Sequence, residues 1–276
     1  MTLAVRSLMF VPGGRVADLL PKLARCRPDV AVVDLEDAVA PGDKDAARDA
    51  AGPGRGGGGP AAGAGLGRIT GPGTPGPQAD LTAVAAASVD GVVLPKYEHA
   101  DQLRSVRAAL PAGAVVVVGL ESARGIADAR PLLAEGPDAA YVGTEDLIAD
   151  LGGRRTAAGT EVLYARSYVV LAARLAGVPA IDQVVAAVRD TEAFRVDAEQ
   201  ARDLGYHGKI CLHPLQVPIA HAVFTPSAEE LAHARAVLAA AAGGVGVVDG
   251  QMVDGAHIAM ARGVLARAGE PRGGGV

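Results

Sequence analysis

The chain has 276 residues, half of them hydrophobic, and a net charge of −5, so it can build a large core and lacks the basic excess of a nucleic-acid surface. Its two cysteines, Cys26 and Cys211, lie far apart without metal-type spacing, which excludes a disulfide framework and fits a reducing compartment. The first apolar run is short and broken by Arg6 and Pro12, and no uncharged apolar stretch is long enough to cross a bilayer; the expectation is a soluble cytoplasmic protein, not a membrane protein.

In chain order, short Val-rich runs bounded by Gly, Pro or Asp occur at 6–12, 29–36, 91–95, 114–121, 139–143, 180–188 and 208–214. Such runs read as strands buried on both faces of a parallel sheet. Amphipathic segments at 15–26, 43–51, 98–109, 125–135, 161–177 and 191–205 read as the helices between them. "PGGR" after the first run is a turn, not a dinucleotide-binding fingerprint. An eighth strand belongs between Ala51 and Gly91, where twelve of the 26 residues from Gly52 to Pro77 are glycine and only "GLGRIT" (65–70) can serve. The βα rhythm predicts an α/β fold, a (β/α)8 TIM barrel over residues 1–224 with a Gly-rich irregular segment at 52–77; an open doubly wound sheet is the fallback. From Thr225 a capped helix, a Gly/Val segment, a second helix from "GQMVD" onward and a disordered Gly-rich tail follow. Residues 225–276 are thus a C-terminal helical appendage, a lid or an oligomer contact.

Charged residues gather at strand ends. The second strand ends in Asp34, Glu36 and Asp37; Arg68 ends the weak third; Lys96 follows the fourth, Glu121 the fifth, and Glu145 and Asp146 the sixth. In a barrel these ends converge on the face where active sites are built. Acids around one mouth repel each other. Arg68 and Lys96 offset part of this, and a hard divalent cation offsets more; oxygen-only ligands point to Mg2+. Glu121 and Asp146 are the expected direct ligands, with waters and substrate oxygens completing the shell. The competing readings are an exposed Glu121 paired with Arg124, and Asp146 as a helix N-cap, which metal binding does not exclude. Glu36 and Asp37 orient waters or Arg68. "GTED" (Gly143, Thr144, Glu145, Asp146) offers backbone N–H groups to a substrate carboxylate. Lys96, Arg15 and Lys22 are placed for anionic phosphates, although Arg15 and Lys22 also read as solvated helix residues. His213 reads as a neutral structural histidine and Cys211 as an inert buried thiol.

At these residues the chain resembles the citrate lyase β-subunit-like group of the HpcH/HpaI aldolase family. The stretches that carry the resemblance are "RSLMFVPGGR" (6–15), "VVDLEDAVAPGDK" (32–44), "GVVLPK" (91–96), "GLESARG" (119–125), "GTEDLIADLGG" (143–153), "EVLYARSYVVLAARLAG" (161–177), "GKICLHPLQVPIAHAVFTPS" (208–227) and "GQMVD" (250–254). They run in family order along nearly the whole chain. The resemblance implies a (β/α)8 barrel, Mg2+, and a CoA or acyl-carrier thioester substrate. It assigns the metal to Glu121 and Asp146, and places Arg68 where the family carries an Arg in an "R-[VI]-N" strand; here Thr70 replaces the Asn. Asp254 matches an acid contributed by a neighbouring subunit, which implies a homo-oligomer, a trimer or hexamer. The Gly-rich residues 52–67 and the "GA" after Asp254 depart from the family pattern.

The implied chemistry is a retro-Claisen cleavage, or its reverse, of a β-hydroxyacyl thioester such as citramalyl-, malyl- or citryl-CoA. Arg68 stabilises the enolate oxygen and Asp254 takes the hydroxyl proton; Asp37 is counted with them as catalytic. Glu36, Lys96, Gly143, Thr144 and Glu145, together with Arg68, are the expected substrate contacts. A malyl-CoA-type thioesterase, a pyruvate-type aldolase and a non-catalytic CoA-binding relative are the alternatives.

Overall fold

The computed structural model of the chain describes residues 5–51, 64–72, 76–87, 89–241 and 244–269. Its first compact unit runs to His221. Strands and helices alternate as β1 (Ser7–Pro12), α1 (Val16–Cys26), β2 (Val30–Asp34), α2 (Lys44–Ala51), β3 (Ala64–Arg68), α3 (Pro77–Ala86), β4 (Gly91–Leu94), α4 (Ala100–Ala109), β5 (Val115–Leu120), α5 (Ala123–Ala127), α6 (Ala129–Ala134), β6 (Ala139–Val142), α7 (Thr144–Asp150), α8 (Thr160–Ala176), β7 (Ala180–Asp182), α9 (Thr191–Leu204), β8 (Gly208–Cys211) and α10 (Gln216–Phe224). The eight strands are parallel, pair in chain order and close: β8 returns to β1 with Ser7 opposite Lys209, Leu8 opposite Ile210 and Met9 opposite Cys211. This is the (β/α)8 barrel expected.

The pleat sends alternate side chains inward. Leu8 and Phe10, Val30 and Val32, Leu66, Val93, Val117, Ala139 and Tyr141, Ile181 and Ile210 fill the barrel as one buried cluster. Continued to the C-terminal ends, the same alternation reaches Asp34, Arg68, Glu121, Gly143 and Gln183. The inward parity thus carries the polar groups onto the mouth.

The weak third strand forms, over Ala64–Arg68 rather than 65–70. β3 pairs from Ala64 to Arg68 with Val30 to Asp34 of β2, and from Leu66 to Arg68 with Gly91 to Val93 of β4. Gly67 lets α3 approach: a Cβ there would overlap Val84. Of the Gly-rich segment at 52–77, residues 52–63 and 73–75 lie outside the described residues.

Several elements differ from expectation. The seventh strand ends at Asp182 rather than Val188, because Gln183 turns into a polar network instead of a ladder. The helix expected at 125–135 is two short pieces, divided at Asp128, with Ser122 capping the first by accepting from the Gly125 N–H. The helix α3, opened by Pro77 at its first position, was not expected.

The second unit begins at Ala222. Its helix α11 (Ala228–Ala240) starts with a reciprocal cap between Ser227 and Glu230. The strands β9 (Gly246–Val248) and β10 (Gln251–Val253) form an antiparallel hairpin, and α12 (Gly255–Arg267) follows. The hairpin corrects the reading of Gln251–Val253 as helix; residues 242–243 lie outside the described residues. Its turn residues Asp249 and Gly250 have φ of 51° and 77°, the left-handed pair that a two-residue hairpin requires. Ala234, Val237, Ala241, Val253 and Ala261 form a small core for this unit. Among the described residues, no helix is long and apolar enough to cross a membrane.

Candidate active site

Arg68 is the best-anchored cation at the barrel mouth. Its Nε donates to Asp34 Oδ1 at 2.8 Å and its Nη2 to Asp34 Oδ2 at 2.6 Å, a two-pronged pair between neighbouring strands that are in register at these two residues. Its Cζ lies 4.6 Å from the centroid of the Phe10 ring. Nη1 is 3.1 Å from Glu36 Oε2, an ion pair without hydrogen-bond geometry. Burial works against the charge, but the Asp34 hydrogen bonds outweigh it and hold Arg68 above its ordinary value. Asp37 is half exposed at the rim, 4.0 Å from Arg68 and 3.9 Å from Lys96.

Around this pair the loops are tied down. Lys44 donates to the carbonyls of Leu35 and Glu36 and to Thr70 Oγ1. The Thr70 N–H donates to Asp80 Oδ2 at 2.7 Å, its hydroxyl donates to the same carboxylate, and Arg48 holds the other oxygen of Asp80 at 2.6 Å. Thr70 therefore anchors the loop after β3, which fixes Arg68 despite the glycines before it.

Lys96 sits among three acids. Its Nζ is 3.1 Å from Glu36 Oε1, 3.6 Å from Asp146 Oδ1 and 3.9 Å from Asp37 Oδ1. Its backbone is left-handed, at φ 48°, a conformation that costs a non-glycine residue and is concentrated at functional sites. Glu36 is buried between the two cations; burial raises its carboxyl and Arg68 opposes that. Glu36 thus positions Arg68 and Lys96.

Glu121 directly follows β5 and is buried. Tyr141 donates its phenol O–H to Glu121 Oε1, while Oε2 has no hydrogen-bond partner among the described residues. Burial pushes the Glu121 carboxyl up to about 7, against the Tyr141 hydrogen bond. Glu121 and Asp146 both border a hollow of about 220 Å3 that Phe10, Asp34, Arg68 and Tyr141 also line. The same two acids border a second hollow, shared with Lys96, Glu98 and Gln102.

The "GTED" turn is placed differently from expectation. The Gly143 N–H donates to the Leu120 carbonyl at 3.0 Å and is therefore not free for an anion. Thr144 is buried; its hydroxyl donates to Gln183 Oε1 at 2.6 Å and accepts from Arg155 Nη2 at 2.8 Å, and Arg155 also holds Glu145. Gln183 continues to Asp197 at 3.1 Å. The turn is thus clamped by side chains, with Asp146 left half exposed toward the hollow.

These residues fit a small divalent cation. The donors are oxygen only, a buried Glu121 oxygen is unpartnered, and Asp146 borders the same space. Among the described residues, no group of three or more His, Cys, Asp or Glu side chains is disposed to hold an ion alone. Two carboxylates on one hollow suit Mg2+, which is commonly held by one or two carboxylates with water and substrate oxygens. Asp254 belongs to the second unit, where it caps α12: it accepts from the Ala256 N–H at 3.0 Å and pairs with His257 at 2.8 Å. The His257 hydrogen bond holds its carboxyl below the usual range. Arg15 and Lys22 are exposed. His213 accepts from the Leu215 N–H, a structural role.

Two site residues escaped the sequence reading as partners of the chemistry, Asp34 as the anchor of Arg68 and Tyr141 as the donor to Glu121. The parity Val30, Val32, Asp34 was available as a signal for the first. Tyr141 reads as core.

A closed barrel with acids and an anchored arginine at its C-terminal mouth defines a class, barrel enzymes that stabilise negative charge beside a hard metal ion. The chain belongs to the HpcH/HpaI aldolase/citrate lyase family, whose model matches residues 6–214. It is an enzyme of the citrate lyase β-subunit-like, carbon–carbon lyase group. It is 44% identical to the citrate lyase subunit beta-like protein of Deinococcus radiodurans, over 95% of this chain and 96% of that one. It is 35% identical to a (3S)-malyl-CoA thioesterase of Cereibacter sphaeroides, over 95% and 94%. The crystal structure of CitE from Mycobacterium tuberculosis in complex with magnesium, acetoacetate and coenzyme A superimposes with a TM-score of 0.82 at 35% identity, covering 98% of this chain and all of that one.

Proposed function

We propose that the chain is a Mg2+-dependent lyase that cleaves or forms a β-hydroxyacyl thioester of CoA by a retro-Claisen reaction. The observation that carries this reading is the placement of Arg68 and Glu121 on one hollow, with Arg68 fixed by Asp34 and one Glu121 oxygen unpartnered. Citramalyl-, malyl- and citryl-CoA are the candidate substrates.

Glu121 and Asp146 hold the ion. When bound, Mg2+ supplies Lewis-acid polarisation of the substrate carboxylate and hydroxyl oxygens. In the cleavage direction a base takes the β-hydroxyl proton, the bond between the hydroxyl-bearing carbon and the α-carbon breaks, and its electron pair passes to the thioester as an enolate. A 2-oxo acid leaves, and protonation at the α-carbon completes the shorter acyl-CoA. Arg68 presents its remaining N–H groups to the enolate oxygen, where one preorganised donor contributes roughly 2.7–4 kcal/mol. Because Asp34 fixes the guanidinium beforehand, little reorganisation is needed when that charge appears. Lys96, held by Glu36, adds positive charge at the same mouth. Asp254 of a neighbouring subunit is the base, so the working enzyme is a homo-oligomer, a trimer or hexamer; Asp37 at the rim assists.

The test is product analysis by mass spectrometry with the three thioesters, with and without Mg2+. A 2-oxo acid and a shorter acyl-CoA, formed only with metal, are expected. A free hydroxy acid and CoA would instead establish thioester hydrolysis, the reading favoured by the 35% identity to a malyl-CoA thioesterase. Turnover of none of the three would overturn the proposal.

A further inference from the structure

Resting on the metal site just proposed, we propose that Tyr141 sets the coordination mode of Glu121 and thereby selects Mg2+ over Ca2+. Tyr141 lies on β6 with its side chain inside the barrel, and it is buried. A phenol has one O–H to give, and it goes to Glu121 Oε1. The other oxygen, Oε2, is buried and has no hydrogen-bond partner among the described residues. The two oxygens of one carboxylate are therefore not equivalent: one is held by the protein and one is left for a cation.

The surroundings keep it so. The missing side chain of Gly119 makes the space for the pair, since a Cβ there would overlap both Glu121 Oε1 and the Tyr141 hydroxyl. On the other side Gly143 closes in, and a Cβ there would stand 2.6 Å from Glu121 Cγ. The Tyr141 ring meets Phe10 edge to face, with centroids 6.2 Å apart. Gly119, Gly143 and Phe10 thus border the pair closely, and the hollow lies on its open side.

A carboxylate held at one oxygen presents the other singly. Mg2+ takes six ligands in a tight octahedron and keeps several waters, so a single oxygen suits it. Ca2+ takes six to eight oxygens and gains from carboxylates that bind through both. Withholding Oε1 thus removes a ligand that Ca2+ would use and Mg2+ would not.

The experiment is calorimetric titration of the EDTA-treated full chain with MgCl2 and with CaCl2, for the wild type, Tyr141→Phe and Glu121→Gln. The phenylalanine variant is expected to bind Mg2+ roughly tenfold or more weakly, as loss of an orienting partner does, and to bind Ca2+ as well as or better than the wild type. The ratio of the two affinities shifts. Glu121→Gln should lose both metals. An unchanged ratio in a folded Tyr141→Phe chain, with both metals lost in Glu121→Gln, would overturn the role of Tyr141 and leave the metal site standing. Wild-type metal binding in Glu121→Gln would overturn the site and the role together. If Tyr141→Phe does not fold, infrared difference spectra of the wild type on Mg2+ addition decide, with Glu121→Gln identifying the band: the wide splitting of a singly bound carboxylate is expected, and the narrow splitting of a doubly bound one would refute the proposal.

Discussion

Arg68 does its proposed work only because Asp34 holds it, so the two residues make separable predictions. Arg68→Ala removes the donor aimed at the enolate and should lower kcat and kcat/KM together by about 10²–10³-fold, with thioester binding little changed. Asp34→Asn keeps the cation but exchanges a two-pronged charged pair for a single neutral contact. A guanidinium displaced by an ångström costs about 10²-fold in rate. Steady-state kinetics on both variants should therefore show kcat falling in each, and a wild-type kcat in Asp34→Asn would show that Phe10 and Glu36 suffice as anchors. Asp146→Asn should weaken Mg2+ binding in calorimetry and leave the melting temperature unchanged, since its half-exposed carboxylate lies 3.6 Å from Lys96, a surface pair that contributes little to stability. Unaltered affinity would remove Asp146 from the ligand set.

At the scale of elements, the proposed chemistry divides between strand ends and one helix start. Asp254 begins α12 in the second unit, where it both caps the helix and is proposed as the base of a neighbouring subunit. Serine also caps well but carries no charge. Asp254→Ser should be inactive with its thermal stability retained, whereas Asp254→Ala should lose the cap as well. A mixing experiment tests the subunit assignment. Asp254→Ser and Asp146→Asn chains, each inactive alone, should regain activity when co-assembled, because some sites then join an intact barrel to an intact acid. No recovery in verified mixed oligomers would mean that Asp254 acts within its own chain or not at all.

One flank of the barrel, at β7 and β8, is fastened by ions turned away from the mouth. Asp182 and Lys209 are register partners on β7 and β8, with the outward parity, and both are fully buried. Lys209 Nζ lies 2.6 Å from Asp182, and Arg166 of α8 reaches the same carboxylate with two hydrogen bonds of 2.9 and 2.8 Å. Asp197 of α9 closes the set against Lys209 and Arg166, and Gln183 ties it to the clamp on the "GTED" turn. Asp182→Ala leaves two buried cations facing one carboxylate and should destabilise the fold by roughly 3–5 kcal/mol in urea unfolding. Burial pushes the Asp197 carboxyl up, but Lys209 and Arg166 outweigh it and hold it below its usual value. Its stabilising contribution is then full above the unfolded value of about 3.9 and is lost as pH falls through the lower folded value. The stability gap between the wild type and Asp197→Asn should accordingly narrow below about pH 4; a gap independent of pH would show that the pair carries no net charge energy.

The alternation of Val-rich runs with amphipathic segments by itself determined an α/β fold with a parallel sheet, because strands buried on both faces read as continuous apolar runs and short loops leave few topologies; the barrel was the first choice over an open sheet, and the pairing of β8 with β1 decided it. It also brought Glu36, Arg68, Lys96, Glu121 and Asp146 to one end of the barrel, since charges that follow such runs gather at the mouth unless, like Asp182, they have the outward parity. Tertiary structure decided the rest. The strand Ala64–Arg68 has almost no side chains with which to announce itself; it is held by the ladders of β2 and β4 and by Val84 filling the space above Gly67. Lys209 within "GKICL" and Tyr141 within "AAYVG" look like strand interior, and they are, but what each touches depends on the register between β7 and β8 and on the parity that brings Tyr141 to Glu121. A hydrogen bond is a relation between two positions, and the closure of the barrel chooses which positions meet.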